Sequence, residues 1–185
     1  MKRLLLATLL GASLWAAPSL EARPRQTAKA KRLSVLDYYY LLPFIGTGGN
    51  TTRRQRLQLL QRKNKPVIDL HHDYLTVKPD ASPVEQITVF RSGNTALVAQ
   101  SVPDFHSDYN GFMLYRLQNG KLRDVTKQVL PVSVQRDRFL YQLPRVGTTI
   151  HVFSFNLDTQ SRKPAFDLLW RRGRFVKRNL PSPKR

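Results

Sequence analysis

The sequence predicts an α+β protein, mainly β, with two short N-terminal helices followed by antiparallel β-meanders. Three observations carry that expectation. Residues 111–126 (GFMLYRLQNGKLRDVT) alternate Met113, Tyr115 and Leu117 with Leu114, Arg116 and Gln118, and then reach Asn119-Gly120. Alternation by two is the period of a strand, and Asn-Gly supplies the positive φ that both centres of a type I′ hairpin need. Residues 165–179 (AFDLLWRRGRFVKRN) copy the pattern at an offset of 53, which sets Gly173 on Gly120 and Phe166, Leu168 and Trp170 on Met113, Tyr115 and Leu117. Each copy follows another two-strand pattern, residues 86–102 turning at Ser92-Gly93-Asn94 and residues 139–155 turning near Val146-Gly147, and those glycines lie 54 apart. Two four-strand units related by an internal repeat follow. They pack either as a sandwich of two four-strand sheets or as a pair of propeller-like blades.

The elements fall in order along the chain. Lys2 and Arg3 precede an apolar run over residues 4–17, then small residues up to Ala22. That is the order of a Sec-type signal peptide, residues 1–22, and the run is too short to span a bilayer. Residues 23–33 (RPRQTAKAKRL) hold five cations and a proline, the composition of a flexible basic arm. Ser34 caps a helix whose apolar face is Val35, Tyr38, Tyr39 and Leu42, stopped by Pro43. After the loop of residues 45–50, Asn50, Thr51 or Thr52 caps a second helix over residues 53–61. Leu57 and Leu60 give that helix its expected buried side, and Arg53, Arg54, Arg56 and Arg62 line the rest. Short strands flank His71-His72-Asp73, a turn cluster covers residues 79–83, and the first meander begins. A helical turn over residues 127–129, stopped by Pro131, separates it from the second meander. One globular domain therefore spans residues 34–180, and residues 181–185 form a basic tail.

Charge is the second strong signal. The formal charge is +19, and loss of Lys2, Arg3 and Glu21 with the leader leaves +18. A field of that size attracts polyanions and says nothing about fold. It is unevenly spread: residues 23–65 carry eleven Lys/Arg against Asp37, and residues 111–185 carry sixteen against four Asp. Residues 66–110 hold just Lys78 and Arg91 against six acids. There is no cysteine, which excludes disulfides, thiol catalysis and zinc-thiolate sites. Export without cysteine fits a bacterial periplasm or the extracellular space.

Two sets of candidate site residues emerge. The first is cationic: Arg53, Arg54 and Arg56 on the second helix, and Arg171, Arg172 and Arg174 around the last hairpin turn, where Trp170 and Phe175 are expected to face the core. The second is a candidate metal set, His71, His72 and Asp73 with Asp104, His106 and Asp108. Imidazole plus carboxylate suits zinc, manganese or iron when three or more ligands converge. His151, alone in mid-strand, reads as a strand-face residue. No nucleophile elbow or P-loop occurs.

The order LDYYYLLP, a basic helix, DLHHDYLTV, ITVFRSGNTALVAQSV, FMLYRLQNGKLRDVTKQVLP, YQLPRVGTTIHV and FDLLWRRGRF resembles a group of small exported bacterial proteins of unknown function. The likeness covers roughly residues 36–177, and its most specific parts are NGKLRDVTKQVLP and LPRVGTTIHV. Similar proteins often carry Asn-Gly where this chain has His72-Asp73, and some carry cysteines in the loop matching residues 103–110. The resemblance implies architecture and compartment, not an activity.

The expectation is an exported, non-catalytic envelope or extracellular module. It binds an anionic polymer or envelope surface, such as acidic polysaccharide or lipopolysaccharide, through its basic groups. No cofactor, no specific nucleic acid and no transmembrane segment beyond the leader are expected, and no oligomeric state is assigned. The alternatives are a metal-dependent hydrolase built on the His/Asp loops and a structural subunit of an envelope complex.

Overall fold

The computed structural model describes residues 32–43, 52–61, 66–79, 83–102, 111–131, 139–156, 158–159 and 161–181. The leader, the basic arm up to Lys31, Arg62, most of the tail, and Asp104, His106 and Asp108 lie outside the described residues. Both N-terminal helices start at reciprocal caps. Ser34 Oγ accepts from the Asp37 amide at 3.3 Å while the Asp37 carboxylate accepts from the Ser34 amide at 2.8 Å, opening α1 (Val35–Leu41). Thr52 and Gln55 repeat the arrangement at 3.3 and 2.8 Å, opening α2 (Arg53–Gln61). Each pair satisfies amides that the first helical turn leaves without a partner.

Ten strands follow among the described residues, and they form two antiparallel sheets. The first has six strands in sequence order: β1 (Val67–Asp69), β2 (Tyr74–Val77), β3 (Glu85–Ser92), β4 (Thr95–Ser101), β5 (Met113–Gln118) and β6 (Lys121–Asp124). A short helix, α3 (Thr126–Val129), leads to the second sheet. That sheet is also a meander: β7 (Phe139–Gln142), β8 (Thr149–Asn156), β9 (Ser161–Arg171) and β10 (Arg174–Asn179). Asn119 and Gly120 have φ of 50° and 75°, and Arg172 and Gly173 have 49° and 82°, so both late hairpins close on two-residue turns with positive φ throughout.

The layers explain the strand sequences. The two sheets face each other across a core of Phe90, Leu97, Ala99, Phe112 and Leu114 from one side and Tyr141, Ile150, Val152, Phe166, Leu168, Trp170 and Phe175 from the other. Phe90 meets Phe175 edge-on at 5.2 Å, and Phe112 stacks on Tyr141 at 4.0 Å. Helices α1 and α2 cover the opposite face of the six-stranded sheet, burying Val35, Tyr38, Tyr39, Leu42 and Leu59 against Leu75, Val77, Ile87, Val89, Val98 and Tyr115. The central strands β3 and β4 are thus covered on both sides and read as nearly continuous apolar runs, TVF and ALVA. The four-stranded sheet is covered on one side, and β8 alternates accordingly: Ile150 and Val152 point in, Thr149 and His151 point out. Side chains of the large sheet also close the backbone near the edge strand β7. Ser101 Oγ donates to the Tyr141 carbonyl, Thr88 Oγ1 to the Pro144 carbonyl at 3.1 Å, and the Leu143 amide to Gln86 Oε1 at 2.8 Å.

Three expectations need correction. The first sheet has six strands rather than four, because β1 and β2 continue the same meander. The architecture is a six-over-four sandwich with helices outside. The repeat alignment at 53 is also out of phase: it sets Leu117, which is exposed, on Trp170, and Tyr115, which faces the helices, on Leu168 in the inter-sheet core. Shifting a strand by one residue turns every side chain over. The offset of 54 that relates Gly93 to Gly147 instead sets Phe112 on Phe166 and Leu114 on Leu168, and all four lie in the inter-sheet core.

The third correction concerns α2. Its inward side is Arg56 and Leu59, with Leu60 half-buried, and Leu57 stands 41 % exposed. Arg56 is 3 % exposed, and its guanidinium donates to the carbonyls of Tyr39 and Leu42 at the end of α1. Tyr39 Oη returns a bond to the Arg56 carbonyl at 3.2 Å. Below them lie Glu85 and Gln100, both fully buried, with the Gln100 amide donating to Glu85. Burial lowers the Arg56 pKa most, and the charges of Tyr39 and Glu85 oppose it. Arg56 therefore joins the two helices over a buried counter-charge and has no part in a cationic surface. Its removal leaves the buried Tyr39 and Leu42 carbonyls without their charged donor and Glu85 without a nearby positive charge, a loss of about 3 kcal/mol. In urea denaturation, Arg56→Ala should lose that amount, while Arg54→Ala on the exposed side of α2 should stay within about 0.5 kcal/mol of the parent.

Candidate anion-binding face

The β9–β10 hairpin sets the geometry of the exposed arginines. Its two-residue turn pairs Arg171 with Arg174, and the same register pairs Trp170 with Phe175, Leu169 with Val176 and Asp167 with Arg178. Trp170 and Phe175 are buried, so Arg171, Arg174, Val176 and Arg178 belong to the outer face of the sheet. Arg171, Arg172, Arg174 and Val176 line an open concavity of about 490 Å³. All three arginines are exposed, and no ion pair is formed by them among the described residues.

Other arginines are committed. Arg91 grips Asp73 through both carboxylate oxygens, at 2.5 and 2.7 Å, and also donates to the Leu33 carbonyl at 2.7 Å. The hydrogen bonds to Asp73 raise the Arg91 pKa above its ordinary value. Arg145 Nε donates to Asp69 at 2.8 Å. Arg53 lies over the Tyr40 ring at 5.2 Å and Arg54 is exposed, so these two remain on the surface after Arg56 is withdrawn. They are not part of the hairpin site. Helix α2 covers one face of the six-stranded sheet, and the four-stranded sheet covers the other.

The candidate metal loop is an ion-pair corner. His72 Nδ1 lies 3.0 Å from Asp69 Oδ2, and His71 meets the His72 ring edge-on at 4.6 Å. The Arg145 hydrogen bond, followed by that of His72, holds the Asp69 carboxyl well below the usual range. Asp73, at φ 55°, is spent on Arg91 and also reached by Arg32 at 3.4 Å. Among the described residues no group of three or more His, Cys, Asp or Glu is placed to hold a metal, and no helix is long and apolar enough to cross a membrane.

A feature that the sequence reading passed over lies beside the arginines. His151 on β8 stands opposite Asp167 on β9, which stands opposite Arg178 on β10. Asp167 accepts from Arg178 at 2.5 Å and lies 2.8 Å from His151 Nδ1. The Asp167 side chain is 4 % exposed, against 56 % for His151 and 57 % for Arg178. Burial pushes the Asp167 pKa up, but the bonds from Arg178 and His151 outweigh it and the net shift is downward. Half of this cluster was open to sequence reasoning: an Arg172-Gly173 turn already dictates that Asp167 faces Arg178. The His151 half depends on the β8–β9 register, which contains a bulge between Val152 and Phe153.

Comparison of the chain with protein-family models, with curated proteins and with solved structures gives no match.

A carboxyl with a depressed folded pKa adds stability that is complete above the ordinary aspartate value of about 3.9 and is lost as pH falls through the folded value. Asp167→Asn should therefore lose about 1 kcal/mol at pH 7. It should also show a shallower fall in stability than the parent as pH is lowered from 5 towards 2, measured by urea denaturation at each pH. Parallel parent and variant profiles would contradict the assignment.

Proposed function

We propose that this protein is an exported, non-catalytic module of the bacterial envelope or extracellular space, and that it holds an anionic polymer, an acidic polysaccharide or lipopolysaccharide, on its basic surface. The observation that carries the reading is the contrast among the arginines. Arg56, Arg91, Arg145 and Arg178 have partners within the fold, whereas Arg171, Arg172 and Arg174 gather around one concavity with no acid paired to them among the described residues. Three unpaired guanidiniums side by side repel one another, and an anionic ligand relieves that repulsion while releasing its own counterions. Arg53 and Arg54 add a second, separate basic area. The commitment of Asp69 and Asp73 to arginines supports a binding reading over metal-dependent hydrolysis. The resemblance to small exported bacterial proteins and the N-terminal charged–apolar–small pattern support the compartment.

Retention of the full mature chain on immobilised heparin should fall steeply between about 50 and about 200 mM salt, as counterion-driven binding requires. The triple variant Arg171→Ala, Arg172→Ala, Arg174→Ala should elute at clearly lower salt than the parent, and the double variant Arg53→Ala, Arg54→Ala should shift less. Salt-independent retention, or a triple variant that elutes with the parent, would refute the reading.

A further inference from the structure

Building on that reading, we infer that the ligand is an extended polyanionic glycan that runs along the outer face of the four-stranded sheet, from the arginine hairpin to a second anchor made by His151 and Arg178. The register arranges this face in cross-strand rows. Arg171 and Arg174 form the first, Leu169, Val176 and Thr149 the second, and Arg178, Asp167, His151 and Gln142 the third. Arg174 and Arg178 are four residues apart on one strand, which separates the first and third rows by about 13 Å at roughly 3.3 Å per residue. A single small anion cannot reach both rows. A chain bearing anionic groups at intervals can.

The third row is organised around Asp167. A carboxylate almost wholly removed from solvent holds two side chains that are each more than half exposed. Its oxygens are spent on them, so it acts as a positioning residue. With Nδ1 engaged by Asp167, His151 has Nε2 for a ligand, and Arg178 keeps the guanidinium N–H groups that Asp167 does not use. The second row between the anchors is aliphatic and hydroxylic. Single-stranded nucleic acids are held on successive aromatic platforms, and the three rows of this track carry no Phe, Tyr or Trp, His151 being their one ring. A sugar chain needs charge and hydrogen bonds at intervals over a shallow surface, which these three rows offer.

Calorimetric titration of the full mature chain with a sulfated disaccharide and a sulfated decasaccharide tests this. The double variant His151→Gln, Arg178→Gln should bind the decasaccharide about tenfold more weakly and the disaccharide as the parent does. The pair Arg171→Gln, Arg174→Gln should weaken both. Thermal melts confirm folding, and Arg178→Lys, which keeps the charge, should restore most of the loss in an otherwise parent background. Hairpin dependence without any effect of His151 or Arg178 would overturn the second anchor while leaving the anion-binding reading standing. No hairpin dependence would overturn both. Equal affinity for a single-stranded oligonucleotide, with the same dependence on His151 and Arg178, would overturn the glycan assignment.

Discussion

Burial of the six-stranded sheet on both faces is the constraint from which the rest of the architecture follows. A sheet with a helix layer on one side and a second sheet on the other needs apolar residues at successive positions, and β3 and β4 supply them. The second sheet then has one face spent on the core. Its other face is left to solvent, and the sequence places there Thr149, His151, Arg171, Arg174, Val176 and Arg178. The exposed cationic face is thus a consequence of the layering, since the alternation that sends Trp170 and Phe175 inward sends the arginines outward.

Polar groups inside the molecule follow the same layering. On the helix side of the large sheet, Glu85 and Gln100 are buried without access to water, and Arg56 reaches over them while tying the carbonyls of Tyr39 and Leu42. Burying a charge is costly unless it is paired and hydrogen-bonded. Arg56 is hydrogen-bonded to both carbonyls and feels the favourable charge of Glu85, and its bonds tie α2 to the end of α1. On the other side, hydroxyl and amide side chains of β3 and β4 complete the backbone of β7 and the turn after it.

Local signals in the sequence were sufficient for much of the fold. Ser34 with Asp37, Thr52 with Gln55, Pro43 after α1, and the turns at Asn119-Gly120 and Arg172-Gly173 each act within a few residues, and they delimit elements where the structure has them. The rotation of α2 was not legible in this way. Arg56 reads as a solvent residue on a helical wheel, and the carbonyls and the carboxylate that draw it inward belong to residues 17, 14 and 29 positions away. The phase of the repeat failed for a related reason, because aligning turn glycines ignores the extra residue that β5 carries between Leu114 and its turn. His151 looked solitary because its partner Asp167 is brought beside it by a register that includes a bulge.

The central claim is that the working surface is the outer face of β8–β10 and not the helix layer. The most direct measurement is a map of backbone amide chemical-shift changes in the mature protein on addition of a sulfated oligosaccharide at moderate salt. The account predicts the largest changes at residues 171–178, with a second group around His151, and none along α1. Changes concentrated on α2, or spread in proportion to surface charge over the whole molecule, would contradict it.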